Sequence, residues 1–325
     1  MLDSTTTASI SRVSSLLVAV LILPAFALAQ AAPKTQANAS TTTTQQTAAA
    51  SKSNAAPNYA GSDACKACHA AEYKSWEDSP HWKTTLNTKQ GPSHEGCEAC
   101  HGTAASHVSD PTDVSKLFLF EKASPKDIDA RCLECHAGGT EHMNSLHSVH
   151  GENGVSCISC HSPHHATQAQ FLLVKAQPDL CYTCHLAKRA EFVMPFHHRV
   201  NEGLIKCTDC HNPHGTEGPK QVRMASTQDA VCFKCHSDKQ GPFVYEHAAV
   251  KVDGCESCHV VHGGPNPHML KVSNVNLLCL QCHTTSSFSS APGAPSFHNQ
   301  ASFFQACTLC HVAIHGSNAS SFFFK

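Results

Sequence analysis

Cys157-Ile158-Ser159-Cys160-His161 is one of ten copies of the pattern Cys-x-x-Cys-His, and the chain is organised around these copies. The first five comprise Cys65, Cys68 and His69; Cys97, Cys100 and His101; Cys132, Cys135 and His136; Cys157, Cys160 and His161; and Cys181, Cys184 and His185. The second five comprise Cys207, Cys210 and His211; Cys232, Cys235 and His236; Cys255, Cys258 and His259; Cys279, Cys282 and His283; and Cys307, Cys310 and His311. Together they use all 20 cysteines. On one helical turn, residues i, i+3 and i+4 share a face. The two thiols can therefore form thioethers with the vinyl groups of a haem, and the histidine can reach its iron. This is the attachment signature of c-type haem.

Other uses of paired cysteines do not require that histidine. Zinc sites combine two Cys-x-x-Cys hooks into a tetrahedron, disulfides are indifferent to the next residue, and iron–sulfur ligation does not explain it either. With 26 His in 325 residues, chance would place a His after roughly one hook in ten.

Residues 1–29 read as a secretory signal, with an apolar run from Leu16 to Leu28 and Ala27-Leu28-Ala29 as the cleavage site. The run is shorter than the ~20 residues that span a bilayer. Residues 30–60 are rich in Ala, Thr, Gln and Ser and read as a disordered linker. Residues 61–325 form the haem-bearing domain. Its motifs begin 32, 35, 25, 24, 26, 25, 23, 24 and 28 residues apart. So little chain per cofactor makes the porphyrins much of the core. The expected fold is a multihaem cytochrome c, mostly irregular, elongated and haem-organised, with short α-helices after Ser62 (a candidate N-cap) and around Asp127–His136.

A longer repeat lies beneath the motifs. Residues 132–164 read motif, gap, lone histidine, second motif, trailing histidine, closing with "LHSVHGENGVSCISCHSPH" (146–164). Five such two-haem units run from "CKACH" to "CTLCHVAIH", the first of them looser. Sixteen histidines lie outside the motifs, and ten haems need ten distal ligands. Repeat position selects His81, His107, His147, His164, His197, His214, His247, His262, His298 and His315. His147 and His197 are preferred to His150 and His198 because each precedes the next cysteine by ten residues. His94, His142, His150, His165, His198 and His268 are left as spares, His94 being the main rival in the first unit. No Met occupies a repeated position, so bis-His, low-spin, low-potential haems are expected.

Closed iron cannot bind substrate, which points to an electron carrier rather than an enzyme. A multihaem reductase of nitrogen or sulfur oxyanions would need one open iron, and no catalytic residues are assigned. The 23 Lys plus Arg nearly balance 25 Asp plus Glu, whereas about 20 haem propionates would make the holoprotein acidic. No basic stripe supports nucleic-acid binding.

The phrases "GCEACHGTAASHV" (96–108) and "HHRVNEGLIKCTDCHNPHG" (197–215), with the count of ten, resemble the MtrA/DmsE-type periplasmic decahaem c-type cytochrome family. The resemblance covers about Gly61 to Gly316. It implies a haem wire resembling two pentahaem halves, although a five-plus-five division would cut the third unit between His185 and Cys207. It also implies an exported, periplasmic, outer-membrane-associated protein held in a β-barrel porin. Its partners would be a surface cytochrome or extracellular reductase on one side and a periplasmic or inner-membrane cytochrome donor on the other. A freely diffusing periplasmic shuttle and a subunit of an extracellular filament are the alternatives within the carrier class. The Phe322-Phe323-Phe324 tail reads first as a flap over the last haem and second as a docking plug.

Overall fold

The computed structural model describes residues 58–86, 88–223, 229–283 and 307–324. The signal, most of the linker and His298 lie outside the described residues. Asn58 and Ala60, placed in the linker by composition, are tied to the folded part. Ala105 N–H donates to the Asn58 carbonyl at 3.3 Å, and Ala60 and Gly61 N–H donate to the buried Glu98 carboxylate at 3.0 and 2.8 Å.

Each Cys-x-x-Cys-His forms a single tight turn, because its histidine N–H bonds back to the carbonyl of the first cysteine. For nine motifs that bond is 2.9–3.0 Å. In the third, the turn closes the longest described helix, Pro125–His136. Ser124 caps that helix by accepting from Asp127 N–H, Pro125 opens it, and Asp127 lies in its first turn. Among the described residues no helix is long and apolar enough to cross a membrane.

The motifs associate in doublets, a leading and a trailing member, through a side chain near the leading motif. Ser62, Asp129, Asp229 and Asn276 each stand three residues before a leading cysteine. Their oxygens accept the N–H of the trailing first cysteine: Ser62 from Cys97 (3.1 Å), Asp129 from Cys157 (2.8 Å), Asp229 from Cys255 and Asn276 from Cys307 (both 3.0 Å). In the third doublet Gln177 accepts from Thr208 at 3.3 Å. These bonds satisfy donors that a helix start leaves unpaired. Ser62 therefore caps the neighbouring turn, not the helix Ser62–Cys65 it was expected to start, whose N-cap is Gly61. Two of the approaches are tight enough to exclude a side chain. Gly96 (φ +54°) and Gly254 (φ +78°) precede Cys97 and Cys255, and a Cβ on either would run into Ser62 or Asp229.

After a trailing motif the chain turns back and pairs with it. Ser162 N–H bonds Leu172 O, and Val174 N–H bonds Cys160 O, at 2.8 and 3.0 Å. The same two-bond ladder links Asn212 to Gln221 and Arg223 to Cys210, then Val260 to Met269 and Lys271 to Cys258. Each strap passes through two consecutive left-handed residues, Phe171-Leu172, Lys220-Gln221 and His268-Met269. Non-glycine residues there cost roughly 1–2 kcal/mol each, so the ladder bonds must hold them. Two short antiparallel pairs, Phe196–His197 with Gly263–Gly264 and Tyr245–Glu246 with Gly316–Ser317, join distant parts of the chain.

The protein core is thin. The described buried apolar side chains are Trp76, Ala104, Ile128, Leu180, Tyr182, Phe192 and Val200. Only Tyr182, Phe192 and Val200 form a cluster, backed by Ile205 and Cys207. In place of a core there is a continuous cavity of about 5600 Å³ lined by the motif cysteines and histidines. A pocket for one small ligand measures roughly 300–1,000 Å³, so this volume suits many.

Candidate haem-iron sites and their histidine pairs

First cysteines of a doublet come within hydrogen-bonding reach of each other: Cys65 with Cys97, Cys132 with Cys157, Cys181 with Cys207, Cys232 with Cys255, and Cys279 with Cys307. Proton sharing with Cys65 holds the Cys97 thiol down at about 6, and Cys181 holds Cys207 at about 7. Thiols of successive doublets also lie near enough to feel one another's charge. Cys100 senses Cys132 and Cys135, Cys160 senses Cys184, and Cys210 senses Cys232. The attachment points thus succeed one another in space as they do in sequence.

The histidines supply the sharper observation. An imidazole nitrogen lies about 2.0–2.1 Å from a first-row metal, with its ring centre roughly 1.1 Å behind, so two rings closing on one iron have centroids ~6.2–6.4 Å apart. Among the described residues nine motif histidines each face a non-motif histidine at 6.0–6.4 Å. The pairs are His69 with His107, His101 with His164, His136 with His81, His161 with His214 and His185 with His150. They continue with His211 and His262, His236 and His198, His259 and His315, and His283 and His247. Each separation leaves room for one iron between the rings. Burial keeps His81, His101, His164, His247, His262 and His315 below the ordinary histidine value, and pushes His214 down to about 4. Neutral imidazole is the form with a lone pair to give a metal.

For two residues chosen from the repeat, His147 and His197, it is a neighbouring histidine whose ring faces a motif histidine. Opposite His185 stands His150, whose Nδ1 donates to Pro213 O at 3.0 Å; His147 is exposed. Opposite His236 stands His198, with Nδ1 on Val261 O at 2.6 Å. Both nitrogens of His197 are already engaged, with Met194 O at 2.5 Å and Glu202 Oε1 at 2.9 Å, so neither is left for iron. Spacing to the next cysteine carries no information about a ring far along the chain. His142, read as a spare, lies 5.9 Å from His136 and 4.6 Å from His214, with its Nδ1 buried and unbonded. His298 falls outside the described residues.

What holds the motif histidines differs within a doublet. Trailing His161, His211, His259 and His311 place Nδ1 on the carbonyls of Phe171, Lys220, His268 and Phe322, and His101 bonds the Phe118 backbone. Leading His69, His136, His185, His236 and His283 are exposed. The straps described above are therefore histidine clamps, and nothing in residue type alone announces them.

A model of the doubled Cys-x-x-Cys-His motif matches residues 147–190, 197–241 and 247–288. The chain is a multihaem c-type cytochrome. It is similar to the multihaem cytochrome MtrA of Shewanella baltica (strain OS185), 29% identical over 304 residues, 87% of each chain. It is also similar to the cytochrome c-type protein NrfB of Escherichia coli O6:H1 (strain CFT073), 29% identical over 136 residues, 37% of this chain and 72% of that protein. Covalently bound haem c and electron transport go with that membership. The cavity, the thin core and the histidine separations all fit haem in the motifs of this cytochrome.

Proposed function

We propose that the chain carries ten haems in five doublets and conducts electrons along them, with two histidines closing each iron. Iron in such a site supplies one-electron exchange between ferric and ferrous states. The protein fixes both axial imidazoles and withholds an open position from small molecules. The observation that carries this reading is the set of nine facing histidine pairs.

The pairs follow a rule that ties doublets together. The lone histidine of one doublet closes the leading site of the next: His81 serves His136, His150 serves His185, His198 serves His236 and His247 serves His283. The histidine after a doublet closes the trailing site of the one before: His164 serves His101, His214 serves His161, His262 serves His211 and His315 serves His259. The first site has no predecessor and is closed from its own doublet by His107. By the same logic the last takes His298, which we assign to His311.

The similarity to MtrA supports a place in the cell envelope. There the cytochrome would pass electrons between periplasm and exterior, shielded by an outer-membrane β-barrel that its own short helices cannot replace. The donor would be a periplasmic or inner-membrane cytochrome, and the acceptor a surface cytochrome or extracellular reductase. The purified protein should take up ten reducing equivalents and bind no CO when reduced. Reconstituted with the barrel in sealed liposomes, it should let an external acceptor oxidise an enclosed reductant. CO binding by the native protein, or turnover of nitrite, would overturn the closed-conductor reading. Failure of the liposome experiment alone would remove the envelope-spanning role and leave a soluble shuttle.

A further inference from the structure

The partners of the ring Nδ1 atoms differ from site to site. His69 faces His107, and His136 faces His81, with no protein acceptor for any of these rings in the described structure: the Nδ1 atoms of His81 and His107 are buried and unbonded. Most other sites have a backbone carbonyl on at least one ring, as with His198 on Val261 O and His259 on His268 O. The pair His211 and His262 stands apart. His211 donates to Lys220 O at 3.0 Å, and His262 donates to Glu191 Oε2 at 2.7 Å. Glu191 is the one carboxylate bonded to an axial imidazole among the described residues. The approach is built in: a Cβ on Gly263 would strike the Glu191 carbonyl, and Phe192 packs its ring 5.1 Å from His262.

A hydrogen bond to a carboxylate gives an imidazole anionic character, and this favours the ferric over the ferrous state of the iron it binds. Charge-assisted hydrogen bonds are about twice as strong as neutral ones, and water at the exposed rings supplies only a neutral acceptor. We propose that Glu191 makes the site closed by His211 and His262 the lowest-potential centre of the chain, and that Lys188 sets how far. Lys188 Nζ holds the other carboxylate oxygen at 2.5 Å and draws charge away from His262. Glu191 is thus a positioning residue that acts through His262, and the redox step it tunes is addition of one electron to ferric iron with no other bond made or broken. The proposal rests on the axial reading of His211 and His262.

The test is a potentiometric titration of the ten-haem protein with dithionite and mediators, followed in the visible spectrum. Glu191→Gln keeps the shape and an acceptor oxygen but removes the charge. The most negative component should become at least tenfold easier to reduce, 59 mV for one electron. Lys188→Met should move the same component the opposite way, which a merely structural role would not do. Glu202→Gln removes a carboxylate from His197, which is not an axial ring, and should leave that component in place. An unmoved component in both Glu191→Gln and Lys188→Met, or an equal shift in Glu202→Gln, overturns the proposal. A separate variant, His262→Ala, should bind one CO per chain when reduced. If it binds none, the axial reading of this pair fails, whatever the titrations show.

Discussion

Replacing His150 separates the geometric reading from the sequence one most cleanly. Its ring faces His185 at 6.0 Å, whereas His147, three residues earlier, is exposed and faces no motif histidine among the described contacts. His150→Ala should open one iron of ten and leave the others closed. The fold should survive. Besides the ring, the substitution removes the bond to the half-buried Pro213 O, which costs less than the ~1–3 kcal/mol of a fully buried group left without a partner. The proposed thioethers and the other proposed axial pairs would oppose that loss. The assay is CO titration of the dithionite-reduced protein with total haem measured alongside. Haem content should stay at ten per chain, and CO should saturate at one per chain in His150→Ala and at zero in His147→Ala. CO binding in His147→Ala with none in His150→Ala would refute the argument from ring separation, and with it the assignment of His198 over His197.

Asp229→Ala removes the acceptor for Cys255 N–H and should lower stability by ~1 kcal/mol, the usual worth of a helix cap, seen as a lower thermal midpoint with unchanged haem content. Glu98→Ala strands three N–H groups, those of Ala60, Gly61 and Ala104, so limited proteolysis should cut near residue 60 well before the wild type is cut there. His197 is bonded to Glu202 and to Met194 O, and these bonds raise its pKa above the ordinary value. Its stabilising contribution is therefore complete below the ordinary histidine pKa of ~6.5 and lost as pH rises through the elevated value. An NMR titration of the reduced protein should show the His197 midpoint fall in Glu202→Gln. Ending the chain at Ser321 removes the Phe322 carbonyl from His311 and the Phe324 ring that packs 5.2 Å from it. The potential of the last haem should shift while binding to any partner stays unchanged, because the tail is the last strap of the series.

The motifs and the shortness of the helices are legible in the sequence because they rest on local spacing. The helix ending at His136 is announced by Ser124, Pro125 and Asp127, all within its first turn. The choice between His147 and His150 is not announced, since it depends on which ring meets His185, 35 residues away. The same holds for the acceptors of Nδ1. The carbonyls of Phe171, Lys220 and His268 clamp histidines through backbone turned left-handed, and no residue preference marks three such different side chains. Ser62 shows a third limit: it is a good cap by type, but the donor it satisfies lies on Cys97 in the other half of its doublet.

The exchange of histidines between doublets bears on whether the chain divides five plus five. A break between the second and third doublets would sever two proposed axial pairs, His161 with His214 and His185 with His150. A break just after Glu191 runs through the third doublet, yet it severs only His161 with His214, because His150 stays with His185 and His198 stays with His236. The repeat in the sequence makes such a break look like the wrong place, whereas by axial ligation it is the cheaper one. What opposes it is ordinary protein packing. Tyr182, Phe192 and Val200 bury one another across that point, and Asn201 bonds both the Tyr182 hydroxyl and the Phe192 carbonyl. The apolar cluster among the described buried residues thus lies where one proposed axial pair crosses, as one also does within the second and fourth doublets. Side chains there add ordinary protein packing to the single proposed axial pair that crosses that point.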